Sequence, residues 1–346
     1  MIQKVWYYLW KQYIILILLF YFKERIVKGT KNIPKKGAVL LVSNHKNAMI
    51  DPVLIGTSLP KPVHFLTRAS AFKIPLVKWL LSTINMMPIY RMRDGKESLS
   101  KNDEIFNKCY DILESNDPLL IFPEGTHDLR RWVHPLSKGF TRIVFGFLEK
   151  YPTTNLYIVP IGLNYTNATK FGESVSIYYG KPLSANSFYN ENDLNIATLK
   201  IKDAVSAGMK ELTTHIDIEH YDETLKKLGN VDFLDPVAVN NQIASLPKKP
   251  PVTTKKEAPS ILWKFLKLIV SVNSIIPLLL YKSIERNIRE AEFYSTTKFV
   301  IGATVFPLVY LLQSLIVCHF WGWQTALSYL IISILLVLLL AKTKRL

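Results

Sequence analysis

The chain contains few of the residues on which several common kinds of site depend. It has two cysteines in 346 residues, Cys109 and Cys318. Cysteines so far apart give neither a disulfide framework nor a metal-binding pair, and a reducing compartment is the simpler interpretation. The sequence also lacks the G-x-S-x-G turn that carries a hydrolase nucleophile, and no two histidines have the i, i+4 spacing of a zinc protease. Sites of these kinds are therefore not expected.

Acidic residues are scarce, which gives the chain a strong positive charge. There are 43 Lys and Arg residues against 27 Asp and Glu, for a net charge of +16. Such a charge favours binding to nucleic acid or to an anionic membrane surface. No zinc-finger or RNP sequence is present, whereas 49% of the residues are apolar. The mean hydropathy of +0.14 lies between that of a soluble enzyme and that of a polytopic transporter. We therefore predict membrane lipids, and no nucleic acid, as partners.

The N-terminal stretch is apolar and aromatic but short for a membrane span. Lys11 and Gln12 interrupt it and leave ten uninterrupted apolar residues, whereas a span needs about 20. Its tryptophans and tyrosines are typical of a membrane interface. The Lys-Glu-Arg sequence that follows is not the cleavage site of a removable signal peptide. We predict that residues 1–25 form an anchor helix that lies in or dips into one leaflet. A buried core helix is the alternative.

Residues 26–243 alternate between strand-like and helix-like stretches. This alternation predicts an α/β domain with a central mixed sheet flanked by helices. Strands are predicted at 38–42, 63–66, 87–90, 119–122, 156–163 and 174–179. Helices are predicted after Asn47 and at 70–84, 97–114 and 139–149, with Ser70 as an N-cap and Cys109 in the core. Residues 183–239 are predicted to be mostly helical.

The C-terminal part of the chain is predicted to be a membrane domain. Residues 244–260 are rich in proline and lysine, which is typical of a linker. Residues 261–281 are apolar with polar interruptions, which predicts an interfacial or re-entrant segment. Residues from about 299 to 318 and from about 324 to 341 carry no charge and predict a transmembrane helical hairpin within the domain 261–346. Basic residues flank both ends of the hairpin, so we expect the α/β domain on the cytoplasmic face of the cell membrane.

The sequence from Ser43 to Pro52 holds a histidine and an aspartate at the end of the first predicted strand. Ligands in open α/β sheets bind where strands end. A carboxylate that holds one ring nitrogen of a histidine leaves the other nitrogen able to accept a proton. No multiple of 3.6 residues brings His45 over Asp51 on one helix, so we predict His45 in a loop and Asp51 in the following helix. An isolated His-x5-Asp often occurs by chance.

Three further stretches follow predicted strands that end near His45. They are Met87 to Arg93, Phe122 to His127 and Val159 to Tyr165. The first carries Arg91 and Arg93, and the planar fork of arginine matches phosphate oxygens. The second carries Glu124, followed by a Gly-Thr turn that allows a backbone to approach a ligand closely. Taken singly, each of these stretches occurs more often as a surface arginine or an ordinary strand-to-helix turn.

The motifs occur in an order that resembles the glycerolipid acyltransferase family. Asn44-His45 with Asp51 comes first, then Pro88-Ile89-x-Arg91, then Phe122-Pro-Glu-Gly-Thr126, then Val159-Pro-Ile161. The family includes glycerol-3-phosphate and 1-acylglycerol-3-phosphate acyltransferases, and the resemblance covers roughly residues 28–182. It implies that His45 is the general base and Asp51 its partner. It also implies that Arg91, Glu124, Gly125 and Thr126 bind the acceptor, chiefly its phosphate. We predict three further binding residues: Asn44, Arg93 and Lys138.

Two departures from the family pattern are present. The spacer between His45 and Asp51 has five residues where four are commoner, which resembles a subgroup that includes fungal-type glycerol-3-phosphate acyltransferases. His127-Asp128 also stands where Arg-Ser is commoner after the Gly-Thr pair. Arg130, Arg131 or Lys138 are candidates to replace the missing arginine.

The resemblance implies a reaction in phospholipid biosynthesis. A fatty acyl group would pass from acyl carrier protein or coenzyme A, as thioester co-substrate, to a hydroxyl of 1-acylglycerol-3-phosphate or glycerol-3-phosphate, with no other cofactor. Another lysolipid or an aminolipid is an alternative acceptor. Neither cysteine is next to a motif histidine, so we expect direct transfer without an acyl-enzyme, with backbone amides at the helix start binding the oxyanion.

Two other classes of protein remain as alternatives, and the oligomeric state is open. One is a metal hydrolase that uses His45, Asp51, Glu124, His127 and His134. The other is a membrane scaffold without activity.

Overall fold

The structure is a computed structural model, and it describes residues 2–90, 100–246 and 261–343. The strands are β1 (Glu24–Lys28), β2 (Ala38–Ser43), β3 (His64–Arg68), β4 (Met86–Ile89), β5 (Leu119–Ile121), β6 (Leu156–Tyr165), β7 (Ser174–Tyr179) and β8 (Leu183–Ser184). The helices are α1 (Ile2–Tyr21), α2 (Ile50–Ser58), α3 (Pro75–Thr83), α4 (Lys101–Glu114), α5 (Gly139–Lys150), α6 (Leu194–Leu212), α7 (Tyr221–Leu228), α8 (Pro236–Ala244), α9 (Ile261–Asn273), α10 (Ile275–Glu285) and α11 (Phe293–Lys342).

The strands form one mixed sheet, as the sequence predicts. Their order is β1-β7-β6-β2-β5-β3-β4, and β8 pairs with β6 beside this path. Strands β2 to β6 pair in parallel, and β1 is parallel to β7, whereas β7 and β8 run antiparallel to β6. Because β2, β3, β4 and β5 are parallel, their carboxyl ends share one edge of the sheet. That edge carries the residues of the candidate site.

Strand β2 lies at the centre of the sheet and is buried on both faces, which explains its continuous apolar sequence. Leu40 and Val42 pack into a core that α4, α5 and α6 cover. Val39 and Leu41 point to the other face and pack into a core that α1, α2 and Phe299 of α11 cover. The alternation of side chains along the strand thus divides the domain interior into two layers.

Three elements differ from the sequence prediction. Strand β1 begins at Glu24, two residues before the predicted start of the domain, and Ser70 is not an N-cap because it lies in a short 3-10 turn before α3, whose N-cap is Ile74. Residues 183–239 hold β8 and α6 to α8 rather than helix alone. The predicted linker falls largely on residues 247–260, which lie outside the described residues.

The N-terminal helix α1 has one packed face and one exposed face. Leu18 and Tyr21 are buried in the core layer beside α2, whereas Leu9 and Leu16 are 62% and 50% exposed. The hydroxyls of Tyr13 and Tyr21 donate to carbonyls of Ala303 and Ser295 in α11. The helix therefore has a face that packs in the core, as a core helix would, and an exposed apolar face, as an anchor helix would.

The last helical segment, α11, is interrupted between the two predicted transmembrane helices. Gly322 has non-helical backbone angles (φ 81°, ψ 166°), and only glycine adopts such angles without strain. The Ser314 hydroxyl donates to the carbonyl of Ala326 at 3.0 Å across the break. A straight helix would separate these residues by about 18 Å. The two parts of α11 therefore fold back on each other, and they extend beyond the predicted ranges at both ends.

Helices α9 and α10 meet at a bend of 90°. Residues at the bend bond to both parts of α11: Asn273 Nδ2 donates to Ser333 Oγ at 3.0 Å, and the Ser274 and Tyr310 hydroxyls are 2.6 Å apart. These bonds satisfy polar groups among otherwise apolar helices. Within the described chain, α11 is the one helix long and apolar enough to cross a membrane, and the bent pair meets the same test only when taken as a unit. Membrane crossing itself stays a prediction.

Candidate active site

His45 and Asp51 lie together at the carboxyl end of β2. His45 is in the loop that leaves the strand and Asp51 is in the first turn of α2, as the spacing predicts. The Nδ1 atom of His45 is 2.7 Å from Asp51 Oδ2. Because the carboxylate accepts this bond, Nδ1 carries the proton and Nε2 has a lone pair. The pair has the geometry of a base and its orienting carboxylate.

The Asp51 carboxylate is fully buried and saturated with donors. Its Oδ2 also accepts from the backbone amides of Lys46 and Asn47, both at 2.7 Å. Its Oδ1 accepts from the hydroxyl of Tyr165, at the end of β6. Burial and the charge of Asp51 raise the pKa of Tyr165 well above its ordinary value, so the phenol keeps its proton. These four bonds fix the carboxylate, and through it the imidazole.

Asn44 is used differently from our expectation of a substrate contact. Its side-chain amide donates to the carbonyl of Leu163 at 3.0 Å and accepts from the Leu163 amide at 2.8 Å. The residue is fully buried. The Asn44 side chain therefore continues the pairing of β2 with β6 one step beyond the end of the strand. It thereby holds the His45 loop in place.

The exposed side of the His45 imidazole is bordered by aromatic rings. Phe122 stacks on it with ring centres 3.9 Å apart, and the ring of His127 lies 4.2 Å away, edge to face. The Phe293 ring at the start of α11 lies 5.9 Å from His127. The Arg68 guanidinium lies over Phe293, 5.0 Å from its ring centre. This surface combines apolar rings with a cation, which suits an acyl ester bearing an anionic group.

Glu124 supports the His45 loop instead of pointing freely into the site. Its two oxygens accept from the backbone amides of His45 and His134, each at 3.3 Å. Burial raises the pKa of Glu124 to about 7, although nearby Lys46 and the two amide donors oppose the rise. Burial likewise lowers the pKa of the Lys46 ammonium, which donates to backbone carbonyls of Arg130 and Trp132. The glutamate of the Gly-Thr motif is thus a positioning residue.

A second His-Asp pair lies in the same loop. His134 Nε2 is 2.9 Å from Asp128 Oδ2, and the Arg130 guanidinium donates to the same carboxylate. Burial raises the pKa of Asp128, but the bonds from Arg130 and His134 outweigh it and hold the pKa below its ordinary value. The amide of Asp128 donates to the carbonyl of His45 at 3.1 Å. Asp128 therefore organises the loop in which the commoner arginine is missing.

The three candidates to replace that arginine are not equivalent. Arg131 donates to the carbonyls of Tyr165 and Thr166, and burial lowers its pKa to about 10. Arg131 is therefore wrong as a replacement, because its guanidinium is used inside the domain. Arg130 is half exposed but paired with Asp128. Lys138 is exposed at the start of α5.

The remaining predicted binding residues fall into two groups. Gly125 and Thr126 are exposed in the loop after β5, and Gly125 has a φ of +68°, which a residue with a side chain adopts only with strain. A β-carbon there would meet nothing within 4 Å, so the backbone conformation, not space, explains this glycine. Arg91 and Arg93 lie outside the described residues.

The first turn of α11 contacts the loop that holds His45. The amide of Met49 donates to Thr296 Oγ1 at 3.2 Å. The carbonyl of Ala168 accepts from Asn47 Nδ2 at 2.7 Å and from Ser295 Oγ. The backbone amides of Lys46 and Asn47 donate to Asp51, and that of Met49 donates to Thr296. The expectation that amides at this helix start bind the oxyanion is therefore wrong for these three.

Several functional residues escaped the sequence analysis. Tyr165 and Arg68 each stand at the end of a strand of the shared edge, and that position is the signal that would have found them. Lys46 and Asp128 lie next to motif residues but carry no pattern of their own. Phe293 and Thr296 follow the linker by more than 30 residues, and nothing local links them to His45.

The ligands proposed for a metal hydrolase are not gathered at one point. His45 is paired with Asp51, His134 with Asp128, and Glu124 accepts from backbone amides. Across residues 2–90, 100–246 and 261–343, no group of three or more His, Cys, Asp or Glu is placed to hold a metal ion. This arrangement favours acid-base chemistry at His45 over metal ligation.

Comparison with known proteins points to one family. Residues 24–164 match the family model described as Acyltransferase. The chain is 27% identical over 114 residues to glycerol-3-phosphate O-acyltransferase 1 of Saccharomyces cerevisiae, a match that covers 32% of this chain and 15% of the relative. It is 28% identical over 142 residues to 1-acyl-sn-glycerol-3-phosphate acyltransferase of Borreliella burgdorferi, covering 41% and 52%.

The matches with curated relatives are partial. They span about half or less of the relatives' own length. A solved structure of the 1-acyl-sn-glycerophosphate acyltransferase PlsC of Thermotoga maritima aligns with a TM-score of 0.40 at 20% identity, covering 55% of this chain and 72% of that one. The family match contains His45, Asp51 and the Gly-Thr loop. Residues 24–164 are therefore similar to the Acyltransferase family, and this match covers less than half of the chain.

Proposed function

We propose that the protein is a membrane-bound acyltransferase that moves a fatty acyl group from a thioester donor to a hydroxyl of 1-acylglycerol-3-phosphate or glycerol-3-phosphate. The observation that carries the proposal is the His45-Asp51 pair. Its carboxylate is buried and held by two backbone amides and the Tyr165 hydroxyl, and its imidazole opens on an aromatic surface. A buried, saturated carboxylate favours one tautomer of the histidine and stabilises the imidazolium that forms during catalysis.

The reaction follows from the position of each proton. His45 Nε2 accepts the proton of the acceptor hydroxyl while the oxygen attacks the thioester carbonyl. The tetrahedral intermediate then expels the thiolate of coenzyme A or acyl carrier protein, and the imidazolium returns the proton to that sulfur. The Nδ1 proton stays on His45 throughout, in its hydrogen bond to Asp51. The products are an ester and a free thiol, and no acyl-enzyme forms.

The acceptor phosphate would lie on the side of the site that holds Arg68. Arg68 ends β3 and is half-buried, and its register partner in the neighbouring strand is Ile89, two residues before Arg91. A guanidinium at this strand end suits a phosphate monoester. Relatives named as glycerol-3-phosphate and 1-acylglycerol-3-phosphate acyltransferases support this acceptor class. Another lysolipid or an aminolipid is the alternative acceptor.

Exposed apolar helices support a location at the cell membrane. Helix α3 presents Leu76 and Trp79, which are 72% and 57% exposed, and α1 presents Leu9 and Leu16. Isolated exposed apolar residues are ordinary, but whole helix faces of this kind mark a membrane or protein contact. We infer that α1 and α3 lie in the membrane interface and that the two parts of α11 cross the bilayer. We also infer that the catalytic domain is on the cytoplasmic face, near the acidic acyl carrier protein or the coenzyme A thioester that donates the acyl group.

The test uses the purified full chain with a panel of acceptors and both kinds of thioester donor, and products are identified by mass. We expect one acyl group to be added to a phosphate-bearing acceptor, and His45→Ala to lose this activity by at least about 10²-fold. His134→Ala is the matched control, because it removes the histidine of the other His-Asp pair. Unchanged activity in His45→Ala would contradict the catalytic role. Labelled acyl protein trapped with donor would contradict direct transfer.

A further inference from the structure

A groove runs along helix α1 and past its C-terminal end. It has a volume of about 600 Å³, which is within the range of sites for small ligands, about 300–1,000 Å³. The residues that line it are Gln12, Ile15, Leu16, Leu18, Leu19, Phe22, Lys23, Glu24, Arg25 and Lys342. The list contains no residue of the candidate active site, so the groove is a separate feature.

The groove is divided into an apolar part and a charged end. Its apolar part follows α1 from Ile15 to Phe22, a rise of about 10 Å. Its charged end holds Lys23, Arg25 and Lys342, with Glu24 as the one lining carboxylate. Three cations and one anion leave a net charge of about +2 beside an apolar wall. A molecule that fits must be apolar along most of its length and anionic at one end.

The cations at the charged end are held in place by the protein. Lys342 Nζ donates to the carbonyls of Phe22 and Lys23 at 2.8 and 3.0 Å, which uses two of the three ammonium hydrogens. Arg25 donates from one nitrogen to Thr57 Oγ1 at 3.2 Å, while a guanidinium has five N–H donors. Donors therefore remain on both groups, and their positions are set before a ligand arrives, which lowers the entropy cost of binding.

We propose that this groove binds an anionic phospholipid of the surrounding membrane, with an acyl chain along Ile15 to Leu19 and the phosphate at Lys23, Arg25 and Lys342. The proposal rests on the membrane location proposed above but not on the acyl-transfer reaction. Leu16 and Leu19 are each about half exposed, and a lipid chain over them removes apolar surface that water would otherwise contact. The phosphate supplies the negative charge that the end of the groove lacks.

The groove is connected to the catalytic pair by two side chains. The ring of Phe22, which forms part of the wall, lies 6.3 Å from that of Tyr165, and the Tyr165 hydroxyl bonds to Asp51. The bound lipid is thus separated from His45 by Phe22, Tyr165 and Asp51 in turn. Because no residue that lines the groove belongs to the candidate active site, we do not take this lipid to be the acceptor substrate.

The experiment measures lipid retention by native mass spectrometry on the full chain, purified in detergent and stripped of lipid. The probes are phosphatidylglycerol and phosphatidylcholine with the same acyl chains. We expect preferential retention of phosphatidylglycerol. Because each basic residue near an anionic lipid contributes a factor of several, Lys23→Ala with Arg25→Ala should weaken phosphatidylglycerol binding by about 30-fold and leave phosphatidylcholine binding unchanged. Lys28→Ala is the matched control, since Lys28 is exposed on the same strand and lies over Tyr178, outside the groove.

A second variant tests the apolar wall and keeps every charge. Leu19→Trp should fill part of the groove and lower retention of phosphatidylglycerol, whereas Leu9→Trp, exposed on the same helix but outside the groove, should not. Equal retention of the two lipids by the wild-type chain would overturn the proposal. The proposal would also be overturned if the double variant lost no more phosphatidylglycerol binding than Lys28→Ala, or if Leu19→Trp retained phosphatidylglycerol fully. His45→Ala should retain lipid normally, so failure of the lipid site and failure of the acyltransferase role are distinguished.

Discussion

Replacing Asp51 by asparagine tests the role of the buried carboxylate with little change in shape. Oδ2 accepts from three N–H groups, His45 Nδ1, Lys46 N and Asn47 N, and Oδ1 accepts only from Tyr165. The oxygen of the new amide must therefore lie toward the three donors. If its NH2 group lay there instead, it would face the N–H groups of two backbone amides, which cannot rotate to accept a hydrogen bond. The phenol, which can rotate its proton away, then accepts from the NH2 group. Asp51→Asn should keep the tautomer and the orientation of His45 and lose only the negative charge.

The size of the effect follows from the loss of that charge. A unit charge pair 2.7 Å apart interacts by about 6 kcal/mol at an effective dielectric constant of about 20, which sets an upper limit. General-base catalysis by a positioned side chain contributes about 10²–10⁴ in rate. We expect kcat to fall by about 10³, or about 4 kcal/mol of activation free energy, with KM within about threefold. The two amide bonds lose their charge assistance, so the free energy of unfolding should fall by about 1–3 kcal/mol.

The assay is steady-state acyl transfer by the full chain at saturating donor, with thermal unfolding measured on the same preparations. Asp128→Asn is the comparison, because Asp128 forms the other His-Asp contact of the loop. A kcat for Asp51→Asn within threefold of wild type would refute the reasoning. An equal loss of kcat in Asp128→Asn, at equal thermal stability, would refute it too, since the effect would then belong to the loop and not to the base.

Three further predictions follow from the contacts around this pair. Burial raises the pKa of Glu124 from its ordinary 4.5 to about 7. Between these pH values the carboxyl is therefore protonated in the native state and ionised in the unfolded state. This difference contributes about 3 kcal/mol to the free energy of unfolding below pH 4.5, and the contribution is lost as the pH rises through 7. Glu124→Gln should remove this pH dependence from unfolding midpoints measured from pH 5 to 8. An unchanged pH dependence in the variant would show that another group causes it. Thr296→Val should lower kcat by about fivefold through the lost bond to Met49, whereas Thr297→Val, whose hydroxyl bonds within its own helix, should not. Arg68→Gln should raise KM for a phosphate-bearing acceptor by about tenfold and leave the KM of the thioester donor unchanged; equal changes in both would contradict a phosphate contact.

The local geometry of the base was predictable because short-range rules determine it. A strand that ends before His45 and a helix that contains Asp51 follow from apolar run length and from the 3.6-residue turn. The mixed sheet was predictable from the alternation of elements. Strand β1 was not, since Glu24 to Lys28 is a short edge strand with charged ends, and it pairs with β7 about 150 residues later. Pairing at such a distance leaves no trace in a local pattern.

The roles of individual side chains were harder to predict than the elements. Asn44 belongs to a recognisable motif, but its buried pairing with Leu163 depends on the register of β2 against β6. Glu124 looks like a ligand group in the sequence, whereas in the fold it accepts from two backbone amides. In both cases a buried backbone group needed a partner, and that need becomes visible only when the strands are assembled.

The segment that matches the Acyltransferase family does not contain every contact of its own catalytic loop. It ends at residue 164, one residue before Tyr165, which donates to Asp51, and four before Ala168, whose carbonyl accepts from Asn47. The same carbonyl accepts from Ser295, and Thr296 accepts from Met49 at the start of α2. Ser295 and Thr296 lie in the first turn of α11, the one helix of the described residues that is long and apolar enough to cross a membrane. The element that we propose to cross the membrane therefore also contacts the loop that holds His45. We therefore expect that a change that tilts α11 alters kcat even where the domain remains folded.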